Sequence, residues 1–128
     1  MVDSRVKGAA FERECVRYLA TLGITAQRNL AQWAQKDQPD IITGDFIIEC
    51  KRYKEGNWHR PEWWEQLMRA FDYMDRMPVL IYKFDRQPMR FVFRLCDVSD
   101  TQSDNELTVT MDESAATEFL KTRVGVEK

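Results

Sequence analysis

Only one histidine, His59, occurs in the 128 residues, which excludes any metal site built on two imidazoles. The three cysteines, Cys15, Cys50 and Cys96, are odd in number, far apart and without a C-x-x-C pair. That argues for free thiols in a reducing cytoplasm and against a disulfide framework or a zinc ribbon. No run approaches 18 uninterrupted apolar residues, so neither a membrane span nor a membrane partner is expected. The first 25 residues are charged throughout and lack the apolar stretch of a signal peptide; the expected location is the cytoplasm. With no repeat, no low-complexity tract and no Pro/Gly/Ser linker, the chain reads as one domain large enough to bury a core. Its 44% hydrophobic and 31% charged residues make disorder an unneeded assumption.

Charge of one sign is missing from the end of the chain. From Asp97 to Glu118 seven acids occur without a single base. Residues 1–95 carry 16 Lys and Arg against 13 Asp and Glu, while residues 96–128 carry 3 against 8. The net charge of −2 thus averages a mildly basic body, residues 1–95, and an acidic extension, residues 96–128, expected to pack on it. A polyanionic partner stays open, because distribution counts for more than the mean.

Helical spacing of Phe11, Cys15, Tyr18, Leu19 and Leu22 predicts a first helix from Ser4 to Leu22, with Gly23 placed for a left-handed C-cap. A strand over residues 24–30 leads into a polar loop, and residues 40–53, "DIITGDFIIECKRY", read as a hairpin. Pro61 suits the first turn of a helix over residues 61–77, with Trp64, Leu67, Met68, Phe71 and Met74 as its apolar stripe. Strands follow over residues 78–84 and 89–95, then a short edge strand over 106–111 and a helix over 112–123. The order αβββαββ(β)α predicts an α/β fold, a mixed sheet flanked by helices.

The hairpin carries the chemistry. With Gly44-Asp45 as a two-residue II′ turn, paired residue numbers sum to 89, and Asp40 faces Glu49. Side chains alternate along a strand, so Asp40, Glu49 and Lys51 share one face while Ile41, Phe46, Ile48 and Cys50 enter the core. Two opposed carboxylates repel each other, and a divalent cation offsets that repulsion. Hard oxygen ligands and incomplete protein coordination describe a Mg²⁺ site that expects a phosphate. Lys51 beside it can orient a water and stabilise charge on phosphoryl oxygens. The plain alternative is a surface Glu49–Lys51 ion pair with Asp40 as a solvated turn residue.

Pro39-Asp40 followed by Glu49-Cys50-Lys51 resembles the PD-(D/E)xK nuclease signature. More narrowly, "RVKGAAFERECVRYL" (5–19) is similar to the opening helix of archaeal-type Holliday junction resolvases, a group with phage-encoded members. The segment from Glu65 to Phe93, with "KFDR" followed by "RFVF", is similar to the helix-strand-strand part of that family. The resemblance spans residues 5–95 and implies a restriction-endonuclease-like fold. It also implies a Mg²⁺-dependent endonuclease, with Mn²⁺ able to substitute, acting on four-way junctions as a homodimer. Asp40 and Glu49 would be metal ligands with the carbonyl of Cys50, Lys51 would position the nucleophile, and Glu12 would be a further ligand or hold a water. Arg5 and Lys7 would meet phosphates, Gly8 would admit the sugar-phosphate chain closely, and Gln66 would stand next to the metal. The loop "NLAQWAQKDQ" departs from the family, whose loop here is rich in Gly and Ser; contacts from Arg28, Gln32 or Lys36 stay open.

Lys51-Arg52-Tyr53-Lys54, with Trp58 and Arg60, forms a basic stretch with interleaved aromatics, which suits phosphate and base contact by Arg52 and Lys54. Trp63 and Trp64 read as core or interface, His59 as a loop residue, and Cys15 and Cys50 as small core hydrophobes. Two other functions fit the same residues: a nuclease for other branched DNA in replication or repair, and a nucleic-acid-binding module without activity.

Overall fold

The computed structural model describes residues 4–30, 38–100 and 106–125. Helix α1 (Ser4–Thr21) buries Phe11, Cys15 and Leu19, one residue per turn on a single face. It ends as expected. Gly23, at φ +81°, donates to the carbonyl of Ala20 and Ile24 donates to that of Leu19, the two bonds that close a helix around a left-handed residue.

One six-stranded sheet follows, with its strands in sequence order. Strands β1 (Gln27–Arg28) and β2 (Ile41–Ile42) are antiparallel, as are β2 and β3 (Phe46–Tyr53). Helix α2 (Pro61–Phe71) crosses over to β4 (Met77–Phe84), which pairs parallel to β3. Then β5 (Arg90–Arg94), a short helix α3 (Leu95–Val98), β6 (Thr108–Asp112) and α4 (Glu113–Gly125) complete the order. The Asp112 carboxylate accepts the N–H of Ala115 and so caps α4. Among the described residues no helix is long and apolar enough to cross a membrane.

Both faces of the sheet are covered, which is what a parallel central pair demands. Helices α1 and α4 lie on one face, over Ile41, Phe46, Ile48, Val79, Ile81, Phe91 and Phe93, with Ala116 and Leu120 inserted from α4. Helix α2 covers the other face, over Ile47, Leu80, Tyr82, Phe84 and Val92. Cys15 and Cys50 both belong to the first cluster, as small core hydrophobes.

Four expectations change. The strand over 24–30 shrinks to Gln27–Arg28, because β2 offers only two residues to pair with. The hairpin keeps its register, Ile41 with Ile48 and Ile42 with Ile47, but its turn is not II′. Gly44 has no positive φ; the Thr43 hydroxyl instead accepts the N–H groups of Asp45 and Phe46. Helix α2 stops at Phe71 rather than residue 77, and Met77, extended ahead of Pro78, already belongs to β4. Its buried stripe is Trp63, Leu67 and Ala70, with Trp64, Phe71 and Met74 at the flanks, a face turned by about one residue from the expected one.

Candidate active site

Strand β3 sends Ile47, Glu49, Lys51 and Tyr53 to the face that α2 covers. Ile47 is fully buried and fixes the strand, and Glu49 beyond it is only 2% exposed. Asp40 arrives from the other arm of the hairpin, 9% exposed, and its Oδ2 accepts the N–H of Cys50 at 2.8 Å. That bond ties the first acid to the peptide beside the second. Lys51 Nζ lies 3.3 Å from Glu49 Oε2 and donates to Gln66 Oε1 of α2 at 3.0 Å. The arrangement predicted from hairpin parity is therefore present: Asp40, Glu49 and Lys51 converge, and Gln66 joins them.

Burial is the main force on both acids. It pushes Asp40 up to about 6, against a Cys50 N–H bond that pulls down and a Glu12 charge that adds to the rise. Glu49 goes up to about 8, through burial first and the Asp40 charge second, with Lys51 opposing. Lys51 is one ammonium against two buried carboxylates, while Glu12, the third acid, is paired with Arg28. Such a donor set, hard oxygens under mutual repulsion with the Cys50 carbonyl on the same strand, fits a divalent cation.

Glu12 comes from α1 and is within electrostatic reach of both acids, but its Oε1 accepts from Arg28 Nε at 3.0 Å. Among the described residues no three His, Cys, Asp or Glu side chains form a group able to hold a metal, so Glu12 stands apart as a paired neighbour. Arg28, one of the candidates for DNA contact left open by the sequence, is the partner that holds it.

The other predicted contacts come from α1 and from the end of β3. Lys7 Nζ is 3.2 Å from Asp85, and Arg52 Nη1 binds the same carboxylate oxygen. Lys54 is exposed, and at Gly8 an added Cβ would meet only open space. The side chain of Arg5, and Gln32 and Lys36, lie outside the described residues. The sequence reading missed two residues. Asp85, in the β4–β5 turn, gathers Lys7 and Arg52, a juxtaposition of three segments with no local signal. Tyr82 is the register partner of Lys51 across the parallel pair, and its buried hydroxyl has no hydrogen-bond partner among the described residues. A βαβ crossover leaves that register unreadable beforehand. The Cys50 thiol, pushed well up by burial and by its contact with Cys15, is a packing group.

A mixed sheet flanked by helices, with an acid before one strand and Glu-x-Lys along the next, defines a PD-(D/E)xK nuclease of the restriction-endonuclease-like fold. Nucleases of this class use divalent metals. The chain belongs to the family of phage PDDEXK endonucleases, which matches residues 3–126. The match includes the acidic extension up to residue 126, for which the sequence suggested no relative. Among solved structures, the chain is similar to Hjc of Archaeoglobus fulgidus, a Holliday junction resolvase from an archaeal hyperthermophile. Identity is 25% and the TM-score 0.55, over 82% of this chain and 86% of that one. No curated protein sequence matches.

Proposed function

We propose that this endonuclease resolves four-way DNA junctions as a homodimer, with Mg²⁺, or Mn²⁺ in its place, as cofactor. The observation that carries the reading is the Asp40–Glu49–Lys51 cluster on a fold shared with a junction resolvase. Asp40, Glu49 and the Cys50 carbonyl are the groups that would hold the ion. When bound, the ion lowers the pKa of a water and offsets charge on the scissile phosphate. Lys51, steadied by Gln66, is placed to orient the attacking water and to hydrogen-bond a phosphoryl oxygen. Glu12, paired with Arg28 of β1, stands beside the cluster as a neighbouring charge. Water attacks phosphorus in line, the bond to the 3′ oxygen breaks, and the product ends in a 5′-phosphate.

Four-way junctions need two cuts related by symmetry, and a two-fold dimer supplies two sites at fixed spacing. Cleavage of synthetic four-way, three-way, flap and linear substrates tests the reading. With Mg²⁺ the four-way junction should be cut in both strands, and with Ca²⁺ it should be bound and left intact. Equal cutting of linear duplex overturns junction selectivity; preference for flaps assigns the same site to other branched DNA.

A further inference from the structure

Beyond Lys51 on the same face of β3, about 6.6 Å further along, stands Tyr53. Its ring stacks on Trp63 at 5.0 Å and 12°, and Trp63 is buried against Tyr82 and Phe84. On the other side of Tyr82 the contacts continue through His59 to Trp58. Tyr53 keeps 36% of its surface exposed and Trp58 keeps 55%, the two open ends of one row of aromatic rings. The guanidinium of Arg60 lies 4.8 Å from the Tyr53 ring centre and 5.5 Å from that of Trp63. The loop bearing Trp58 and Arg60 is pinned: Gly56, at φ +145°, passes so close to Phe84 that a Cβ would strike the ring. Gln87 also donates to the Gly56 carbonyl at 2.7 Å.

We infer that Tyr53 and Trp58, with Arg60, form a shelf on which an unpaired nucleotide of the DNA substrate stacks beside the catalytic face. The inference deepens the nuclease reading and rests on it. Rings already fixed by a buried stack lose little freedom when a base lands on them. Every base has an aromatic face, so such a shelf selects unpaired DNA without reading sequence. Arg60 and the exposed Lys54 supply positive charge for the adjoining phosphates, and Lys51 joins the shelf to the acids. At a branch point, where stacking is interrupted, a nucleotide leaves its pair at lower cost than within continuous duplex.

Binding in Ca²⁺ tests this with three probes: a four-way junction carrying 2-aminopurine at the crossover, a short single-stranded oligonucleotide, and a linear duplex. Tyr53→Ala and Trp58→Ala should each weaken the first two by about tenfold and leave the duplex unchanged. Tyr53→Phe should restore binding, and wild-type protein should change the 2-aminopurine emission where Trp58→Ala does not. Equal affinities for wild type and both alanine variants overturn the shelf. So does conversion of a dimer to a monomer by Trp58→Ala, because the rings would then be a subunit contact. Wild-type protein that holds the oligonucleotide through Tyr53 but ignores junctions would reject the junction reading and leave the shelf standing.

Discussion

Asp85 is a single carboxylate serving two cations, Lys7 from α1 and Arg52 from β3. The ordinary interpretation is an exposed salt bridge contributing little to stability. Its position bears on DNA binding, because the sequence leads one to expect both partners, Lys7 and Arg52, at phosphates. Were they to meet DNA there, the Asp85 carboxylate would compete with a phosphate for them and subtract from the charge that DNA meets. Asp85→Asn should therefore bind junction DNA more tightly than wild type, with a steeper dependence of affinity on salt, by up to about 0.9 for each freed phosphate contact. Anisotropy titrations across a salt series check it. Weaker binding would show instead that Asp85 is needed to hold Lys7 and Arg52 in place.

Among elements, the hairpin was legible and the crossover was not. Turn length alone decides which residues face each other, and two routes through the turn give the same parity. Thr43 could thus replace a positive-φ glycine without moving Asp40 away from Glu49. The face of β3 followed from alternation. Helix α2 was harder, because Trp63 and Trp64 are adjacent and either could lead an apolar stripe; contact with Tyr82 and Phe84 on β4 decides for Trp63. The pairing of Glu12 with Arg28 was out of reach, since it depends on how α1 lies across the edge strand. The loop between β3 and α2 carries a definite expectation of its own. Gly56→Ala meets both a disfavoured φ and the Phe84 ring, so it should destabilise the fold by about 1–3 kcal/mol. Lys54→Ala, exposed on the same loop, should have nearly no effect. Urea denaturation of the two variants makes the comparison, and a silent Gly56→Ala would mean the loop is free to move off Phe84.

At the scale of the whole molecule, the two buried acids of the cluster work against the fold that presents them. Asp40 rises from 3.8 to about 6 and Glu49 from 4.5 to about 8, in both cases chiefly through burial. The folded chain therefore binds these protons more tightly than the unfolded chain does. A raised acid pKa contributes stability that is fully present below the unfolded value and is lost as pH climbs through the folded one. Without a divalent cation, the melting temperature should fall between about pH 5 and pH 8, in the window these two shifts set. The loss is on the order of several kcal/mol. Glu49→Gln removes the larger part of that cost, so the variant should melt higher than wild type at pH 8, show a flatter pH profile and fail to cleave. Mg²⁺ should raise the melting temperature of wild type at pH 8 and do much less for Glu49→Gln, because binding to the folded state alone is what stabilises it. Melting curves at pH 5, 7 and 8, with and without Mg²⁺, decide the matter. Parallel profiles for the two proteins would show that Glu49 is neither strained by burial nor the group that receives the ion.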